Sequence, residues 1–235
     1  AAAGWRADAL GKLGLREEWL PRIVDSSGQL GVASALPGEL PLCSLVGDQQ
    51  ASLVGQGCTR RGLAKATFGT GGMLDVCLDD TRPERAERSE QGCFPIVAWQ
   101  VAGAVTWGSE AIMLAAGTAV DWLVEDMQLI SSPAESEAVA AACPDTEGVV
   151  MVPALLGLGT PQWDFGARGA LFGLTRGTTR AHIVRAVLEG VAHSGADLLE
   201  ATERDTGLRV ESLRVDGGMS ANRLFVQALA DACDR

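Results

Sequence analysis

With 235 residues and a hydrophobic share of 47%, the chain is long enough to bury a sizeable core as one large domain or as parts of two. Its formal charge of −11, from 30 acidic against 19 basic residues, comes without a local basic patch and argues against a nucleic-acid partner. Six cysteines scattered without a CxxC pair, beside only two histidines, argue against a structural zinc site and for small buried thiols of a reduced, cytoplasmic protein.

The chain opens on Ala1-Ala2-Ala3-Gly4-Trp5, with no initiator Met, basic stretch or long apolar run. It reads as neither signal peptide nor membrane span, and as a chain entered midway. Ala7 to Leu13 and Leu15 to Leu20 form short amphipathic segments closed by Pro21, and Asp25 to Gly31 is turn-rich. From Leu40 onward, apolar and β-branched runs alternate with glycine turns. Leu42 to Val46, Leu63 to Phe68, Met73 to Leu78, Ile96 to Val101 and Val149 to Pro153 are expected as strands of one sheet.

Two stretches carry apolar residues at three- and four-residue spacing and are expected as long helices. Gly108 to Met127 is marked by Ile112, Ala115, Ala119 and Leu123, and Thr179 to Thr206 by Ile183, Val187, Val191 and Leu198. The acidic run Glu135 to Glu137 reads as a solvated helix face, and His182 and His193 as surface or packing residues of a helix. The last unit is a strand over Ser212 to Val215, a turn at Asp216-Gly217-Gly218 and a helix over Ser220 to Cys233. Strands mixed with crossover helices give an α/β class with a layered sheet.

Three stretches carry chemistry. In Leu45 to Ala51 an apolar run meets Asp48, Gln49 and Gln50 beside Gly47. Asp48 there is either a turn former and helix cap or a general base that accepts the proton of an attacking hydroxyl. Thr67-Phe68-Gly69-Thr70-Gly71-Gly72 is either a plain hairpin or a loop whose bare backbone N–H groups approach phosphate, with no P-loop Lys following. Val215 to Asn222 is either a tight strand-to-helix loop or a nucleotide contact at the positive end of a helix dipole. Trp163-Asp164 and Ala167-Arg168-Gly169 follow a glycine loop and are expected to shape a cleft floor.

In order and spacing, Gly47 to Ala51, Val54-Gly55-Gln56 and Ala64 to Gly71 resemble the glycerol-kinase branch of the FGGY carbohydrate kinases. Pro153 to Gly159, Phe172 to Gly177, His182-Ile183 and Arg214 to Asn222 continue the resemblance over nearly the whole chain. It implies an actin-like ATPase (ribonuclease H-like) fold with a layered mixed sheet, part of a two-domain kinase with its ligands in the cleft between domains. Residues 1–57 correspond to the tail of the N-terminal domain and 58–235 to the ATP-binding C-terminal domain, cut short at its end. A chain so bounded, without most of the first domain, is expected to be inactive alone.

The same resemblance implies glycerol and ATP as ligands, Mg²⁺ bridging the phosphates and no metal ligands of the protein's own. It makes Asp48 the base, and Gln49 a hydrogen-bonding partner of the polyol. Gly69, Thr70, Gly117 and Gly218 line the ATP site, with Asn222 near the adenine or ribose. Met73 stands where the family often has a Phe against the glycerol carbons, and Asp121 where a Gln commonly meets the nucleotide. Another polyol or sugar as substrate, a non-catalytic nucleotide-binding or interaction module, and a homo-oligomer of the intact protein stay open.

Overall fold

A computed structural model describes residues 4–84 and 86–235. Residues 1–3, part of the stretch read as neither signal peptide nor membrane span, lie outside the described residues. Among the described residues no helix is long and apolar enough to cross a membrane.

A five-stranded mixed sheet organises the chain. It comprises β3 (Ala64–Phe68), β4 (Gly72–Asp79), β5 (Phe94–Val101), β6 (Ala104–Met113) and β9 (Leu213–Asp216), after a first helix α1 (Ala7–Leu13) and a hairpin of β1 (Ser27–Ala33) with β2 (Leu40–Ser44). Its order is β5-β6-β4-β3-β9. β3 and β9 run parallel, and every other pairing in this sheet is antiparallel. Because side chains alternate across a strand, the two faces differ sharply. Ala64, Ala66, Phe68, Leu74, Val76, Ala111 and Met113 are buried in the apolar core. Lys65, Thr67, Met73, Asp75 and Glu110 occupy the opposite face.

The apolar face packs on α5 (Arg180–Thr206), whose Val184, Val187, Leu188, Val191 and Leu198 are buried. Thr179 and His182 form a capping box at its start, with the Thr179 amide donating to His182 Nδ1 at 3.1 Å. Gly207 ends it in the left-handed region at φ 66°. His182 is thus a buried capping residue, and His193 is exposed. α6 (Arg223–Cys233) lies against α5, and the Phe225 ring meets Phe68 edge-on with centroids 4.9 Å apart. α2 (Asp48–Gly55) covers the polar face, anchored by Leu53 against Cys58 and Ala98. All six cysteines are free, and Cys58, Cys77, Cys93 and Cys143 are buried.

Several expectations need correction. The stretch Gly108 to Met127 is not one helix: it divides into the end of β6 and α3 (Gly117–Glu125). Residues 109–113 carry the continuous apolar run Ala111-Ile112-Met113, which a strand and a buried helix share, and in the structure their burial alternates residue by residue as in a strand. The strands do not form one sheet, because β1 pairs with β2 and β7 (Val150–Val152) pairs with β8 (Ala170–Phe172), each pair apart from the main sheet. Asp25 to Gly31, read as turns, runs into β1 and is tied to the sheet edge, where the Ser26 amide donates to the Gln100 carbonyl at 2.7 Å.

The acidic run lies on α4 (Glu135–Ala140) but is not a solvated face: Ser136 is buried and Glu135 and Glu137 are half-buried. Both carboxylates accept from backbone amides. Glu135 accepts from the Ser131 amide at 2.6 Å, and Glu137 from the Arg223 amide at 2.9 Å.

Candidate active site

The parallel neighbours β3 and β9 both end in glycine turns, and their carboxyl ends therefore open on one side of the sheet. A cavity of about 570 Å³ lies there, lined among others by Gly69, Thr70, Gly117, Asp121, Gly218 and Asn222. Six positions separated by as many as 153 residues in sequence thus converge on one space. Its size falls within the roughly 300–1,000 Å³ of small-molecule sites.

Close backbone packing builds this cavity. The Gly117 amide donates to the Gly69 carbonyl at 2.8 Å, and a Cβ on Gly117 would lie 2.5 Å from that oxygen. The Ala116 and Thr118 amides donate to the Thr70 carbonyl at 3.0 and 3.2 Å, joined by the Thr118 hydroxyl at 2.9 Å. The first turn of α3 therefore clamps the β3 turn in place. On the other side Gly217 takes φ 86° and ψ 174°, a region essentially closed to other residues, and a Cβ there would lie 2.4 Å from the Phe68 carbonyl oxygen.

The start of α6 differs from the expected phosphate-facing dipole. Asn222 Oδ1 accepts from the Phe225 amide at 3.0 Å and Glu137 from the Arg223 amide, so the helix end is already capped by protein groups. Asn222 Nδ2 donates to Ser136 Oγ at 3.0 Å. One amide hydrogen of Asn222 remains for a ligand. What meets the cavity is the short 3-10 turn Gly218–Ala221 that precedes α6.

Asp48, Gln49 and Met73 lie on the polar face of the sheet, away from the lining of this cavity. Asp48 is the first residue of α2, exposed, with its Oδ1 accepting from the Gln49 amide at 2.8 Å. Half-buried Gln49 turns its side-chain carbonyl to Lys65 Nζ. Half-buried Met73 stands between Thr67 and Ile112 on adjoining strands. Trp163 and Arg168 line neither place. The Trp163 indole donates to the Gly92 carbonyl at 2.7 Å, and the Arg168 guanidinium donates to the carbonyls of Phe165, Gly166 and Ala167, fastening their own loop.

Sequence reasoning missed the buried ions beneath α2. Lys65, with no exposed surface, places Nζ 2.7 Å from Asp75 Oδ2, close as an ion pair though not aligned as a hydrogen bond. Across the next strand pair Asp75 faces Glu110. Burial, then the Asp75 charge, push the Glu110 carboxyl up to about 7. Burial likewise raises Asp75, against the pull of Lys65. Among the described residues neither Asp75 oxygen has an aligned hydrogen-bonding partner, and Glu110 is the residue that faces it on the neighbouring strand. Burial also acts to raise Asp216, but hydrogen bonds from Ser52, Thr67 and Gln56 outweigh it and hold that carboxyl low. The signal was available: charged residues interrupt the apolar strands at Ala64-Lys65-Ala66 and Leu74-Asp75-Val76.

Glu110 makes stability depend on pH. Its folded-state value lies above the ordinary 4.5, so the folded protein holds the proton more tightly than the unfolded chain. That contribution is complete below pH 4.5 and is lost as pH rises through 7. Glu110→Gln, neutral throughout, is expected to raise stability at pH 8 by about 1–2 kcal/mol, a figure discounted for partial exposure, and to change little at pH 4.5. Thermal unfolding of both proteins at the two pH values checks this, and an equal shift at both would refute the assignment.

Residues 64–235 match the model of the FGGY family of carbohydrate kinases, C-terminal domain. Over 229 residues the chain is 46% identical to a glycerol kinase of Alkalilimnicola ehrlichii, covering 97% of this chain and 46% of that protein. It is 43% identical over 229 residues to a glycerol kinase of Burkholderia pseudomallei, covering 97% and 45%. A solved structure of Plasmodium falciparum glycerol kinase with ADP is similar at a TM-score of 0.85 and 30% identity, covering 97% of this chain and 46% of that one. The chain spans about half the length of the curated relatives it matches. With its α/β sheet of actin-like ATPase type, it belongs to the FGGY family of carbohydrate kinases.

Proposed function

We propose that the protein transfers the terminal phosphoryl group of ATP to glycerol, giving glycerol 3-phosphate, in the cytoplasm where ATP is available. One observation carries the reading. Two glycine turns at the ends of adjacent parallel strands close a cavity of nucleotide size, while the same strands present their polar face to the helix that begins at Asp48. The names of the relatives supply glycerol as the acceptor, and the bound ADP of the solved relative supports the cavity as the nucleotide site. Residues 1–57 then belong to the end of the N-terminal domain and 58–235 to the C-terminal domain, with the acceptor held between domains.

In this reading Asp48 accepts the proton of the attacking hydroxyl, and Gln49 holds the polyol. Met73 supplies an apolar wall against its carbons. The cavity residues Gly69, Thr70, Gly117 and Gly218 seat the phosphates, with Asp121 and Asn222 toward the nucleoside. Phosphoryl transfer has a loose transition state, so alignment and charge neutralisation are the protein's main contribution. Mg²⁺ usually keeps several waters and rides on substrate phosphates, so it would need no ligand from the protein beside the exposed Asp48. Magnesium, when bound, neutralises charge on the transferring phosphoryl group.

Incubating the intact protein with ATP, Mg²⁺ and a set of glycerol, xylitol, ribitol and xylulose tests the proposal. Glycerol 3-phosphate as the dominant product is expected. Preference for another member of the set assigns a different acceptor within the family, and ATP binding without transfer to any of them replaces the enzyme by a nucleotide-binding module.

A further inference from the structure

Lys65 sits in β3 with no exposed surface, yet its charge is not neutralised by a simple pair. An ammonium group has three N–H bonds and no acceptor. Three oxygens surround this one: Gln49 Oε1, Thr67 Oγ1 at 2.8 Å and Asp75 Oδ2 at 2.7 Å. Because the ammonium donates and never accepts, the Gln49 amide is held with its carbonyl oxygen toward Lys65 and its NH₂ turned the other way. Gln49 adjoins Asp48, an exposed acceptor at the start of α2. The pair thus offers two donors and one carboxylate side by side.

We infer that Lys65 is a positioning residue for the acceptor substrate: by fixing the polarity of the Gln49 amide, it selects a polyol that gives one hydroxyl proton to Asp48 and accepts from Gln49 with a second oxygen. The inference rests on the proposed polyol kinase activity and deepens it. Asp75 is the counter-ion beside Lys65, and Glu110 faces Asp75 from the neighbouring strand. Thr67 accepts from Lys65 and pairs in register with Asp216, so the lysine also stands beside the end of β9. A neutral residue at position 65 leaves the Gln49 amide free to rotate by half a turn, which exchanges donor for acceptor at the substrate.

Removing Lys65 alone strands a buried carboxylate, so the test replaces both ions. In the intact protein, Lys65→Met with Asp75→Leu is expected to fold, to raise KM for glycerol about tenfold or more, and to leave KM for ATP within about twofold. Discrimination between glycerol and propane-1,3-diol, which lacks the second neighbouring oxygen, is expected to fall by about the same factor. A folded double variant with unchanged glycerol KM and unchanged discrimination overturns the role. Gln49→Glu is the second measurement, and it needs no change at the ion pair. It keeps an acceptor for Lys65 and loses the donors, so Tm is expected to hold while glycerol KM rises about tenfold. A lower Tm with unaltered KM overturns the proposal. Turnover of no polyol by the unsubstituted protein overturns the functional reading and this role with it, an outcome distinct from either variant result.

Discussion

Asp48→Asn is expected to lower the turnover number for glycerol phosphorylation by about 10²–10⁴-fold, with KM for ATP little changed. The substitution keeps the shape of the side chain and its place at the start of α2, where Oδ1 accepts from the Gln49 amide. It removes the group proposed to take the hydroxyl proton as the oxygen attacks phosphorus. The cavity proposed for the nucleotide, lined by Gly69, Thr70, Gly117 and Gly218, does not include Asp48. Steady-state rates with each substrate varied in turn check this, and a variant retaining more than a tenth of the wild-type turnover removes Asp48 from the role of base.

Gly217→Ala is expected to cost about 3 kcal/mol or more of folding stability and to abolish ATP binding. Two effects add. The backbone at φ 86° and ψ 174° is strained for any residue with a Cβ, and that Cβ would collide with the carbonyl oxygen, carbonyl carbon and amide of Phe68. Relief requires the ends of β3 and β9 to separate, which opens the cavity between their turns. Its neighbour makes the control. A Cβ on Gly218 meets nothing within 4 Å, so Gly218→Ala should stay within about 0.5 kcal/mol of wild type while weakening ATP binding by occupying the cavity. Denaturant unfolding with ATP titration of both variants separates the cases. Equal stability of the two refutes the collision argument, and unaltered ATP affinity in Gly218→Ala moves the nucleotide elsewhere.

Parts of the candidate site were legible along the chain because its residues travel in short local runs. Gly69-Thr70 and Gly217-Gly218 follow strands as turns, and Asp48-Gln49 follow Gly47 at the start of a helix, so type and spacing marked them as candidates while their roles came from the family resemblance. The end of β6 was not legible. Ala111-Ile112-Met113 is a short continuous apolar run that fits a strand or a buried helix equally, and only pairing with β4 and β5 decided for a strand. β1 and β8 escaped for a related reason, since each is held mainly by its partner strand.

The amino-acid sequence by itself determined the α/β class, the glycine turns and the identity of the chemical groups, because propensity, periodicity and turn chemistry act over a few residues. Tertiary structure alone decided which groups share a space. Residues as far apart as Gly69 and Asn222 line one cavity, and Asn222 is committed to capping as well as lining. Lys65, Asp75 and Glu110 became one row on the polar face only through strand register, since a shift of one residue would have turned each toward the core. Contacts between residues distant in sequence depend on strand order and pairing, and no local pattern encodes those.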